Sequence, residues 1–260
     1  MRIPFFRVNA FTSDAFSGNP AGVCLLENWL PDDLLQRIAA ENGLSETAFL
    51  VPDGDSFKLR WMTPTIEVDL CGHATLAAAF ALFTELGHKQ EQLFFDTLGG
   101  RLCAARRRDM IELDFPSRPP QPCATPERLG QGLGLKPIEV LKARDYVAVF
   151  DSAREVESLV PDFAKLAELD CLGIIVTAPG GGADFVSRFF APQAGIDEDP
   201  VTGSAHCSLI PFWSKRVGKS ELLARQVSRR GGELYCRDLG ERVGIGGRAV
   251  TYCRGELEVL

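Results

Sequence analysis

The feature that most constrains this chain is that it is written twice. Residues 56–64 read SFKLRWMTP and residues 184–192 read DFVSRFFAP, so Phe57, Arg60, Trp61 and Pro64 recur as Phe185, Arg188, Phe189 and Pro192 at an offset of 128. Each segment alternates as a strand does and stops at a proline. LCGHATLAAAFAL (70–82) then faces PVTGSAHCSLIPF (200–212) at 130, and LGGRL (98–102) faces RGGEL (230–234) at 132. A slowly growing offset is what short loop insertions produce, and three matches in one order imply an internal duplication. The proline-rich stretch 115–127 reads as the linker, dividing the chain into lobes 1–118 and 119–260. The expected fold is α+β: two pseudo-symmetric lobes, with an active site in the cleft between them.

In each lobe the longest helix candidate follows the glycine turn. Residues 73–86 are apolar on nearly every side, so their helix must be enclosed, and the strands are expected to wrap around it. Its counterpart 203–210 meets Pro211, which is expected to kink or end it. Residues 31–42 open with Pro31 and two acids, as an amphipathic helix does.

The two turns point to chemistry. Gly72 and Gly203 bring free backbone N–H groups to the start of a buried helix, where partial positive charge receives a carboxylate or stabilises an enolate. Asp199-Pro200 fits a helix N-cap followed by a first-turn proline, and fits equally a carboxylate in the site wall. Asp197 and Glu198 read as solvated loop acids, whereas Glu67 and Asp69 share a strand face near the first turn and read as structural. His73 follows Gly72, and a helix start favours its neutral form, a donor to a substrate oxygen. Cys71 reads as a nucleophile or base at a helix start, or as a small buried filler.

Glu46 breaks the symmetry. GLSETAFLV (43–51) aligns with CLGIIVTAP (171–179), so Glu46 stands opposite Ile174 among Leu44, Ala48 and Phe49. A carboxylate in an apolar segment is costly unless paired or protonated, which suits a general acid/base near neutral pH. The bland reading is an edge-strand glutamate pointing to water.

Composition removes other classes. Net charge is −7 and the longest basic run is Arg106–Arg108, which supplies no clustered field for nucleic acid or an anionic membrane. Eight cysteines are scattered without CxxC spacing, and three histidines make a histidine-rich metal site improbable; no metal or organic cofactor is expected. No apolar run is long enough to span a membrane and no leader-like segment stands at the start, so the expected compartment is the cytoplasm.

Four segments together resemble one family: FSGNPAGV (16–23), GLSETAFLV (43–51), RWMTPTIEVDLCGHATLAAA (60–79) and DPVTGSAHCSLIPFW (199–213). They are similar, in the family's order and over both lobes, to the phenazine-biosynthesis PhzF-like proteins, whose fold is that of diaminopimelate epimerase. The resemblance implies a barrel-like sheet around a central helix in each lobe, an active site in the cleft, and a homodimer. It implies a cofactor-free, proton-moving isomerase of a small carboxylated metabolite. The family's acid/base glutamate falls on Glu46. Its other site residues fall on His73, Asp199 and Ser204, with Gly72 and Gly203 as backbone donors. Related racemases use one thiol per lobe; Cys71 occupies the first such place and Val201 the second, which leaves a one-thiol racemase and a non-catalytic carboxylate binder as alternatives.

Overall fold

The computed structural model describes residues 1–259, and the chain divides into two compact units, 1–114 with 246–260, and 115–245. The first unit holds β1 (Arg2–Ala10), β2 (Asn19–Leu25), α1 (Asp32–Asn42), β3 (Glu46–Asp53), β4 (Ser56–Met62), β5 (Glu67–Val68), α2 (Gly72–Phe80), β6 (Gln92–Thr97), β7 (Gly100–Arg107) and β8 (Met110–Pro116), which ends just past the division. The second holds β9 (Gln121–Pro122), α3 (Glu127–Leu133), β10 (Glu139–Lys142), β11 (Tyr146–Val149), α4 (Ala153–Ser158), α5 (Phe163–Leu166), β12 (Ile174–Pro179), β13 (Phe185–Ala191), β14 (Ile196–Asp199), α6 (Gly203–Val217), β15 (Glu221–Gln226), β16 (Gly232–Asp238) and most of β17 (Arg242–Gly247), whose last two residues lie past the division. The last strand, β18 (Ala249–Glu258), returns to the first unit and pairs antiparallel with β1 from Arg2↔Glu258 to Ala10↔Ala249.

That return corrects the division at 118/119: the ladder to β1 holds β18 with the first unit, and the break falls at 114/115. The supposed linker also carries structure, since Gln121 and Pro122 pair with Lys142 and Leu141.

The duplication is visible in the ladders. In the first unit β2–β3 is parallel, β3–β4 and β4–β5 antiparallel, β4–β6 parallel and β6–β7 antiparallel. The second unit repeats this order as β11–β12, β12–β13, β13–β14, β13–β15 and β15–β16. Along β4, Phe57, Leu59 and Trp61 are buried while Lys58 and Arg60 turn outward, the two-residue period of a sheet with one face on a core. The outward arginines repeat as well: Arg60 makes a two-pronged ion pair with Glu67 of β5, and Arg188 one with Glu198 of β14. Glu198 is therefore no solvated loop acid; its carboxylate lies 2.7 Å from the Arg188 guanidinium.

Each unit encloses its helix. Gly72 through Ala79 of α2 are all buried, against β1, β2, β3, β7 and β18. Alanines at 74, 77, 78 and 79 let strand backbones come close, and removing Leu76 from water contributes about 1.5–3 kcal/mol. The helix read at 73–86 spans 72–80 and then loosens into one π turn over 81–85. In α6, Pro211 lies inside the helix and does not end it. A proline cannot donate to the carbonyl four residues back, and Cys207 O accepts instead from the Arg118 N–H at 2.8 Å. Trp213 anchors α6 by donating to Thr177 Oγ1 at 2.9 Å and stacking on Phe185.

Candidate active site

In the first unit the site begins where β3 begins. Glu46 is the first residue of β3, paired in parallel with Ala21 of β2. α2 starts at Gly72 with Cys71 as its N-cap and no side-chain cap, so the Gly72 and His73 N–H groups stay open to an acceptor. These elements bring Glu46, Cys71 and His73 together. His73 Nε2 lies 3.1 Å from Glu46 Oε2, and His73 Nδ1 lies 3.5 Å from Cys71 Sγ. The His73 and Glu46 side chains are 5% and 13% exposed. The 3.1 Å approach is an ion-pair contact without hydrogen-bond alignment, and neither atom has a hydrogen-bond partner in the protein.

Burial by itself favours the neutral imidazole, but the Cys71 sulfur and the Glu46 carboxylate beside the ring outweigh it and hold His73 well above the ordinary imidazole range. The neutral ring expected at the helix start is thus replaced by an imidazolium, because a carboxylate at 3.1 Å is a stronger influence than the helix dipole. Burial, helped by the charge of Glu46, pushes the Cys71 thiol up to about 11. The three side chains offer ligand atoms within 4.8 Å of one another, close enough to consider a metal ion. However, the two His73 nitrogens face Cys71 and Glu46 separately, so an ion shared by all three would have to displace one of those contacts.

The second unit builds its own constellation at the start of α6. The N-cap is Thr202, not Asp199, so the capping reading of Asp199-Pro200 is corrected: Asp199 ends β14 and its carboxylate accepts from the Thr202 hydroxyl. Gly203 and Ser204 open the helix with no side-chain cap. Ser204 Oγ accepts from Arg144 Nη2 at 3.2 Å, and Arg144 is itself held by the buried Asp145 at 2.9 Å. Buried His206 donates through Nδ1 to Thr202 O at 2.8 Å, and burial pulls it down to about 4, so it is neutral and structural. Thr75 does the same on Cys71 O in the first unit.

These anchors refine the matching of the two units. With Gly72 matched to Gly203, and Glu67 to Glu198, the turn offset is 131, so Thr202 stands where Cys71 does and Val201 does not. Across the ladders, Thr47↔Met62 and Ile174↔Phe190 place Glu46 opposite Gly173 rather than Ile174. A Cβ on Gly173 would sit 2.2 Å from the Phe189 ring, so the second unit has no room for a carboxylate there. Sequence reasoning missed Thr202, Arg144 and Asp145; the signal available for Thr202 was its place one residue before Gly203, as Cys71 precedes Gly72.

The fold is shared widely. A crystal structure of a probable proline racemase from Agrobacterium radiobacter K84 superposes with a TM-score of 0.65 at 13% identity, covering 99% of this chain and 93% of that one, so the two chains have the same fold. The particular family follows from the sequence: the model described as phenazine biosynthesis-like protein, PhzC-PhzF, matches residues 8–255, and the chain belongs to that family. An uncharacterized isomerase of Pseudomonas aeruginosa is 51% identical over 260 residues, covering both chains fully. A PhzF-family crystal structure from Enterococcus faecalis has a TM-score of 0.98 at 46% identity, again over 100% of both chains. With these relatives the chain is an isomerase. Among the described residues no helix is long and apolar enough to cross a membrane.

Proposed function

We propose that the protein moves a proton between positions of a small carboxylated metabolite, with Glu46 as the acid/base. The observation that carries this reading is the buried Glu46–His73 contact of 3.1 Å at the head of α2, in which neither facing atom has a hydrogen-bond partner in the protein. The His73 imidazolium faces the Glu46 carboxylate at 3.1 Å, which sets the proposed base beside a charged donor. Glu46 takes a proton from a carbon next to, or conjugated with, the substrate carboxylate. The electron pair of the broken C–H bond spreads into that carboxylate as an enolate, and open helix N–H groups and the His73 ring stabilise it. Glu46 returns the proton to another carbon, where the electron pair closes the new C–H bond. Nothing is oxidised or reduced, so the reaction asks for no electron carrier. In the first unit Gly72 is assigned to holding a substrate oxygen; in the second, the α6 corner with Gly203, Ser204 and Asp199 is assigned to holding oxygens of a carboxylated ligand.

Incubating the protein in heavy water with a library of small carboxylates, and reading deuterium uptake by NMR, identifies a substrate. Glu46→Gln keeps the shape and removes the proton acceptor. It is expected to lower exchange by roughly a hundred- to ten-thousand-fold while calorimetric binding stays within about tenfold. Exchange at near wild-type rate in that variant would refute the role of Glu46. A second reading, Cys71 as the base, has its 3.5 Å contact with His73 in favour, but a thiol pushed up to about 11 is an acid at neutral pH.

A further inference from the structure

Gln226, the last residue of β15, is 1% exposed and spends its whole side-chain amide on one corner of the second unit. Its Oε1 accepts the Thr202 N–H at 2.8 Å. That contact fixes which end of the amide is nitrogen, and Nε2 then donates to Asp199 O at 2.8 Å and to Thr202 Oγ1 at 3.2 Å. A threonine hydroxyl has one proton. With Gln226 donating to Oγ1, that proton goes to the Asp199 carboxylate, the contact the structure shows.

The first unit builds the equivalent corner without this clamp. The pairings Phe57↔Phe95 and Phe185↔Ala224 place Thr97 where Gln226 stands, and the Thr97 hydroxyl donates to Gly100 O at 2.6 Å instead. Val68, paired with Trp61, stands where Asp199 pairs with Phe189. The turn and helix start therefore form without the amide. The clamp appears in the unit that has Asp199 at this register position, where the first unit has Val68.

We propose that Gln226 is a positioning residue for the reaction: it orients the Thr202 hydroxyl so that Asp199 is held as a hydrogen-bond acceptor of fixed direction. This rests on the reading of Asp199 as a site residue. Gln226→Glu is nearly isosteric and reverses the logic. Its one oxygen still accepts the Thr202 N–H, while the other replaces a donor by an acceptor and draws the Thr202 proton away from Asp199. Gln226→Met, which removes the polar end, is the second variant should the added charge unfold the corner.

The first readout needs no substrate: the Asp199 carboxyl carbon resonance, assigned with Asp199→Asn, is expected to move in both variants and in Thr202→Val. The second is deuterium exchange, expected to fall roughly tenfold or more, as for loss of a hydrogen bond to a charged group. The Gln226→Glu, Thr202→Val double variant is expected to be no worse than either alone, because both act through one hydroxyl. An unmoved Asp199 resonance, or losses that simply add, would overturn the proposal. A moved resonance with undiminished exchange would overturn its catalytic part while leaving Glu46 to be judged by its own variant.

Discussion

The charge of His73 depends on its two neighbours, Cys71 and Glu46, and removing the carboxylate is a direct test of the site's electrostatics. Two opposed effects act on the ring: burial, which favours the neutral form, and the Cys71 and Glu46 neighbours, which favour the imidazolium and prevail. Unit charges 3.1 Å apart attract by roughly 5 kcal/mol at an effective dielectric near 20, a gross figure equal to several pH units before burial is set against it. Glu46→Gln removes the carboxylate and leaves the burial, so the His73 midpoint is expected to drop by at least about one unit. The assay is an NMR titration of carbon-13-labelled histidines, with His73→Gln for assignment; His206, neutral until about pH 4, serves as an internal reference. The same shift fixes a stability trend. A histidine whose folded midpoint lies above its unfolded value contributes fully below about pH 6.5, and that contribution is lost as pH rises through the raised folded midpoint. Glu46→Gln should therefore flatten the decline in stability above about pH 6.5. A His73 midpoint identical in wild type and variant would refute the pairing and, with it, the imidazolium in the proposed mechanism.

Two further outcomes are expected. Cys71→Ser should keep deuterium exchange within about tenfold of wild type, because the thiol is protonated at neutral pH; a loss as large as that of Glu46→Gln would move the base to the sulfur. Arg188→Met should destabilise the protein by about 1–3 kcal/mol in urea unfolding, because it strands Glu198 and frees the Val156 and Leu159 carbonyls; an unchanged midpoint would contradict that account.

Much of this protein is legible in its sequence, because what repeats in sequence repeats in structure. Alternation at 56–64 and 184–192, closed by prolines, was enough to place β4 and β13, and the apolar run after Gly72 had to be enclosed by strands whatever their order. Glu46 stood out for a physical reason as well: an isolated charge in an apolar segment needs a partner. That the partner is His73, and that the ring is consequently charged, was decided by tertiary structure, since two side chains 27 positions apart in the sequence end 3.1 Å apart. The same holds for Pro211, whose helix continues because Arg118 supplies the donor that proline lacks, and for Gly173, where the Phe189 ring excludes a second carboxylate. It holds for Gln226 too: an amide ending one strand has no local pattern to mark it, and only the folding of β15 against the α6 corner turns it into a clamp. Local chemistry is written along the chain, one residue and its neighbours at a time; a proton's direction or a ring's charge depends on groups that only the fold brings within hydrogen-bond reach.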